Sequence, residues 1–234
     1  MITIPSRERL IFALDVADAA AARALVERLG EAVQFYKIGL ELFMGGDYFP
    51  LLDWLVARHK KVFVDLKFFD VPATVAAAVR QLRNRGVTFT TVHGNQSIMQ
   101  AAAEAKGDVK VLAVTVLTSL DRGDLDDLGF ACDVQQLVLS RARRALEAGC
   151  DGVVSSGLEA ELLRSYIDAR LLVVTPGIRP VENRPCDDQK RVVSVQQAFQ
   201  YGADYIVVGR PIRDATDPKA AAERIQEQIT ATLG

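Results

Sequence analysis

Asp65, Lys67 and Asp70 stand at the spacing Asp-x-Lys-x-x-Asp within "KKVFVDLKFFDVPATV", residues 60 to 75. A lysine ammonium held between carboxylates can stabilise a developing negative charge and then donate a proton. The run around them alternates as a strand does. Val62, Val64 and Leu66 face one side, and Phe63, Asp65 and Lys67 the other. A structural ion pair is the bland reading. Mutual attraction makes burial of such a pair tolerable without making it clearly favourable, since desolvation offsets much of the gain. The third charge, Asp70, favours a functional cluster.

The same β-branched signature recurs along the chain. Strand-like runs cover 9–15, 33–39, 61–67, 87–94, 109–118, 151–157, 170–177 and 204–210. Alanine- and leucine-rich helical stretches lie between them, several ending in glycine. Alternating strands and helices imply a parallel sheet with helices outside. Eight such units in 234 residues predict an α/β fold, a closed (β/α)8 TIM barrel, as a single domain over residues 1–234. A doubly wound open sheet is the rival. No strand is followed by GxGxxG, and polar residues recur at the C-terminal ends of nearly all the strands, which favours the barrel.

Composition narrows the classes. Half the residues are hydrophobic and the net charge is −2, so no global field recruits nucleic acid or an anionic membrane. The three cysteines, Cys132, Cys150 and Cys186, are dispersed, which argues against a disulfide framework and a zinc site and suits a reducing cytoplasm. No apolar run approaches a membrane span, and "LIFAL" before Asp15 is too short for a signal peptide.

In such a barrel, function gathers at the C-terminal rim of the strands. Asp15 reads equally as a helix cap or a ligand. Lys37, in "FYKIG", is a lysine in an apolar strand of a barrel that leaves no strand face exposed, so a functional role is favoured over snorkelling. His93 ends the fourth strand and reads at least as well as a structural histidine. His59 reads as exposed. "DRGDLDDLG" (121–129) lacks EF-hand spacing and reads as a solvated loop, and "RARRALEAG" (141–149) as a solvated helix face. Thr118, Ser155 and Ser156 complete the polar rim of the fifth and sixth strands. "TPGIRP" and "GRPI" follow the seventh and eighth strands, where barrels often bind phosphate. There Gly209 allows close backbone approach and Arg210 supplies a permanent charge. Residues 179–191 read as a long loop.

These residues, in order from Asp15 to Ile212, resemble the orotidine 5′-phosphate decarboxylase family: "ALD", "YKIG", "DLKFFDVPATV", "VTVLTS", "TPGIRP" and "VVGRPI". The resemblance implies decarboxylation of orotidine 5′-phosphate to UMP, the last step of de novo pyrimidine synthesis, with no metal and no organic cofactor. It implies an alternating charge network of Lys37, Asp65, Lys67 and Asp70. It also implies a homodimer with shared active sites, in which Asp70 reaches the neighbouring site and Thr74 contacts the ribose. Asp15 and Lys37 would hold ribose hydroxyls. Thr118 and Gln189, the latter placed by "DQKR", would face the pyrimidine and phosphate end. Arg179, Gly209 and Arg210 match substrate-binding positions. Where the family often reads Ile-Pro-Asn-Thr, this chain has Val71-Pro72-Ala73-Thr74, a change that removes no required charge.

Two rivals remain at this stage. Related barrels that act on sugar phosphates share Asp65, Lys67 and Asp70, but use Mg2+ and place a glutamate where Lys37 stands. A lysine there repels a divalent cation. A non-catalytic nucleotide-binding module gives no reason to bury two lysines and two aspartates.

Overall fold

The computed structural model describes residues 4–179 and 191–234. Eight parallel strands close into a barrel in sequential order. They are β1 (Leu10–Ala13), β2 (Phe35–Ile38), β3 (Lys61–Phe68), β4 (Val87–His93), β5 (Lys110–Val114), β6 (Gly152–Val154), β7 (Leu172–Thr175) and β8 (Tyr205–Val208). Closure follows from β8 pairing with β1, Val207 opposite Ile11. The helices are α1 (Ala19–Leu29), α2 (Leu40–Met44), α3 (Tyr48–Ala57), α4 (Pro72–Arg80), α5 (Gln96–Ala105), α6 (Arg122–Asp127), α7 (Val134–Glu147), α8 (Gly157–Tyr166), α9 (Val195–Gln200), α10 (Arg210–Arg213) and α11 (Pro218–Leu233). Among the described residues no helix is long and apolar enough to cross a membrane.

Two apolar layers follow from strand alternation. The outward layer packs Val62 and Val64 of β3 among Tyr36, Leu51 and Leu55, under the helices. The inward layer holds Ile11, Phe35, Phe63, Phe89, Leu112, Val174 and Tyr205. Its centre is aromatic: Phe89 lies 5.2 Å from Phe35, 5.2 Å from Tyr205 and 5.9 Å from Phe63, ring centroid to ring centroid. The last two contacts are edge-to-face and the first is tilted, and together these rings fill the barrel. Gly152 makes room for it, because a Cβ there would sit 2.8 Å from Leu112 Cδ2 and 2.6 Å from the Leu172 carbonyl oxygen. The barrel is thus plugged below, and polar inward residues gather above the plug.

Several local expectations change. The fifth strand ends at Val114, so Thr118 sits on the following loop. The aspartate-rich stretch is no loop. It is α6, closed by a capping box in which Asp121 accepts from the Asp124 amide and Asp124 accepts from the Asp121 amide. Aspartate fills the position where glutamate or glutamine is usual, so the stretch lacks the common sequence signature of a helix start. Asp15 caps no helix; Asp18 caps α1, accepting from the Ala21 amide. Within α7, Arg143 and Arg144 are exposed as expected, but Arg141 is half-buried. It bonds the Thr115 carbonyl and stacks on Phe130.

Candidate active site

A cavity of about 540 Å3 opens at the C-terminal rim of the strands. That size suits a small-molecule ligand. Ala13, Phe63, Val114, Val154 and Val207 line it from the strands, and its polar wall includes Asp15, Lys37, Asp65 and Lys67. Alternation explains the stacking. Phe63 and Asp65 both point inward from β3, as Phe35 and Lys37 do from β2, and β2 and β3 are neighbours with Lys37 opposite Phe63.

Asp65 is the anchor. Its Oδ2 lies 3.0 Å from Lys67 Nζ and 3.5 Å from Lys37 Nζ. Lys37 Nζ also donates to Asp15 Oδ1 at 2.9 Å. The chain Asp15, Lys37, Asp65, Lys67 alternates in sign and is formally neutral. Its inner members are covered: the side chains of Lys37 and Asp65 are 12% and 11% exposed, and those of Lys67 and Asp15 32% and 43%. Burial alone raises the Asp65 carboxyl, but the two lysines, with hydrogen bonds from Lys67 and Thr91, bring it below the usual carboxylate range. Burial likewise lowers Lys37, and Asp65 and Asp15 outweigh that and raise it.

Lys67 departs from a plain strand. Its φ is 49°, in the left-handed region that a lysine seldom adopts. The β3–β4 ladder shifts register between Val64 and Phe68 at the same place. Thr91 of β4 supports this bulge, accepting from the Lys67 amide at 3.0 Å while its hydroxyl donates to Asp65 Oδ1 at 2.8 Å. One hydroxyl thus fixes both the strained backbone and the carboxylate. Gly39 completes the packing; a Cβ there would lie 3.2 Å from Lys37 Nζ.

Thr118, Arg179, Gly209 and Arg210 also line the cavity. Arg179 and Arg210 follow β7 and β8, and β7 stands opposite β3 in the closed ring. The positive side of the cavity therefore faces Lys67 across the barrel. Asp70 and Thr74 do not line the cavity of their own chain. Both are exposed, and Asp70 Oδ1 accepts from the Val71 amide at 2.6 Å. Gln189 and Cys186 lie outside the described residues. His93 does not line the cavity. Its ring packs 5.6 Å from Phe69, and burial, then Arg141 and Lys67, lower its basicity. No group of metal-ligating side chains occurs among the described residues.

Two contributors went unread in the sequence. Thr91 is one; its signal is inward alternation on β4 after Phe89, level with Asp65. Arg213 is the other. It lines the cavity and donates to the Asp15 carbonyl at 2.9 Å, and nothing in its local sequence separates it from a surface arginine.

Fold and site together define a (β/α)8 barrel carrying a buried lysine–aspartate network and an arginine-lined cavity wall at the C-terminal rim of its strands, where such barrels place their active sites. Residues 8–225 match the family described as orotidine 5′-phosphate decarboxylase / HUMPS, and the chain belongs to that family. It is 72% identical to the orotidine 5′-phosphate decarboxylase of Methylococcus capsulatus, over 97% of this chain and 93% of the relative. It is 53% identical to that of Stenotrophomonas maltophilia, over 97% and 94%. The crystal structure of the Lactobacillus acidophilus orotidine 5′-phosphate decarboxylase superposes with a TM-score of 0.82 at 35% identity, covering 95% of this chain and 99% of that one.

The network sets a pH signature. Asp65 sits below its unfolded value, so its stabilisation is complete above the ordinary carboxylate range and lost as pH falls through the lowered folded value. Lys37 sits above its unfolded value, so its contribution is complete below the ordinary lysine range and lost as pH rises through the raised folded value. The Lys37→Met variant, compared with wild type by urea unfolding, should show a stability difference that is flat from about pH 5 to 9 and shrinks on the alkaline side. A difference that is constant into the alkaline limb would contradict the raised Lys37.

Proposed function

We propose that the protein converts orotidine 5′-phosphate to UMP and CO2, with Lys67 as the proton donor. The observation that carries this reading is the placement of Lys67. Its ammonium is held 3.0 Å from a buried carboxylate, on the wall of a cavity whose far side carries Arg179 and Arg210. Loss of CO2 from C6 leaves an electron pair in an sp2 orbital orthogonal to the ring's π system. Delocalisation helps little there, so the charge must be met electrostatically and then protonated. An ammonium at C6 does both.

The other roles are those that the family resemblance implies. Asp65 orients Lys67 and lies where the substrate carboxylate would approach, adding repulsion that ends when CO2 departs. Asp15 and Lys37 hold ribose hydroxyls. Thr118 faces the pyrimidine, and Gln189 the phosphate end. Arg179 contacts the substrate, and Gly209 and Arg210 take the phosphate, whose binding energy aligns the distant ring. The reaction proceeds without metal or organic cofactor, and a lysine at position 37 is a poor neighbour for a divalent cation. The working unit is a cytoplasmic homodimer of single-domain barrels with shared sites, in which Asp70 and Thr74 complete the partner's cavity. Two features support the dimer. Asp70 lies outside its own cavity between exposed Phe69 and Val71, and exposed Leu40, Phe43 and Met44 follow the adjacent strand β2.

Wild-type protein with EDTA should bleach the absorbance of orotidine 5′-phosphate, and Lys67→Ala should lose at least about a thousandfold in kcat while remaining folded. No bleaching by folded wild type would overturn the reading. Turnover restored only by Mg2+ would redirect it to sugar-phosphate chemistry.

The shared site has its own test. Mixing and re-equilibrating inactive Lys67→Ala with inactive Asp70→Asn should recover about one quarter of wild-type activity, because half the dimers are mixed and each then holds one intact site. Zero recovery with mixed dimers present would place Asp70 in its own subunit's site.

A further inference from the structure

Outside the charge network, the most enclosed ion pair among the described residues joins two segments distant in sequence. Arg191 Nη1 donates to Glu159 Oε1 at 2.7 Å, with the side chains 11% and 4% exposed. Glu159 lies in the first turn of α8. The other terminal nitrogen of Arg191 turns to a third segment. Nη2 donates to the Leu117 carbonyl at 2.9 Å and to the Val116 carbonyl at 3.2 Å. Val116, Leu117 and Thr118 are consecutive on the loop after β5, and all three line the cavity.

The segment that carries Arg191 is itself stitched to the loop after β7. The Arg179 amide donates to the Val193 carbonyl at 3.0 Å, and the Val193 amide to the Gly177 carbonyl at 3.2 Å. Val193 also presses on α8. A Cβ at Gly157 would lie 2.3 Å from Val193 Cγ2, so only glycine permits that approach. Among the described residues, Arg191 thus ties the loop bearing Thr118 to a segment that Val193 bonds to the loop bearing Arg179, and Glu159 holds the guanidinium that reaches both carbonyls.

A pair kept for stability alone should be fully satisfied, because partly satisfied buried charges are costly. This pair leaves Glu159 Oε2 and Arg191 Nε without a hydrogen bond among the described residues, while two donor contacts go to the loop after β5. We propose that Arg191 is a positioning residue. It sets the loop after β5 against the loop after β7, and so places Thr118 and Arg179 at a fixed separation for the substrate. This rests on the decarboxylase reading for its substrate, though the loop coupling itself does not.

Three variants separate positioning from support of the fold: Glu159→Gln, Arg191→Met, and the double variant Arg191→Met with Glu159→Met. Each is measured for orotidine 5′-phosphate turnover, thermal midpoint and amide exchange across residues 115–120. Glu159→Gln keeps an acceptor for Arg191 and should stay within about threefold of wild type in kcat/KM. The double variant leaves no unpaired buried charge, so its thermal midpoint should recover relative to Arg191→Met. Its kcat/KM should still fall at least about tenfold, and exchange at 116–118 should quicken by a similar factor. Should Arg191→Met fail to fold, the double variant alone carries the comparison. Recovery of both turnover and slow exchange in the double variant would show that the pair serves stability only and overturn the proposal. An inactive wild type would remove the decarboxylase reading, while the exchange data would still decide the loop coupling.

Discussion

The carboxylate of Asp65 is the constraint around which the rim is built. Burying it costs several kcal/mol, and the attraction of two ammonium groups must offset that cost. Lys37 and Lys67 supply it at 3.5 Å and 3.0 Å. The requirement runs outward. Lys37 carries charge to Asp15, whose backbone carbonyl is in turn held by Arg213. Lys67 reaches Asp65 from a left-handed backbone that needs Thr91 as a brace. Removing any one of these groups leaves a charge or a strained turn without its partner.

A closed barrel is well suited to such a cluster. The aromatic plug of Phe35, Phe63, Phe89 and Tyr205 forms the floor, so the inner charges, Lys37 and Asp65, sit where water is scarce and electrostatic interactions are strong. Rigid strands hold the lysines, while the loops after β5 and β7 bring Thr118 and Arg179 to the cavity. Precision at the reacting end and adaptability at the rim thus come from different elements, which is the usual division in this architecture.

Much of this was legible in the sequence. The eight strands could be read because buried parallel strands are β-branched runs set off by helical stretches. Asp65 and Lys37 stood out because alternation aimed charges at a core face. What escaped had no local signature. The bulge at Lys67 depends on Thr91 from a neighbouring strand. Arg141 looked like one of several surface arginines, yet it turns inward to the Thr115 carbonyl. Arg191 gains its role from carbonyls more than seventy residues away. Asp70 is exposed and lies outside the cavity of its own chain, a position that no local feature of the sequence announces.

The central claim is that Asp65 acts on the transition state through the lysine it holds. The most direct test is Asp65→Asn, comparing turnover of orotidine 5′-phosphate with affinity for UMP. The account predicts a loss in kcat of at least about a hundredfold with UMP affinity within about tenfold of wild type. Tighter binding of the substrate itself would add that ground-state repulsion contributes. Unchanged turnover in a folded Asp65→Asn protein would contradict the account.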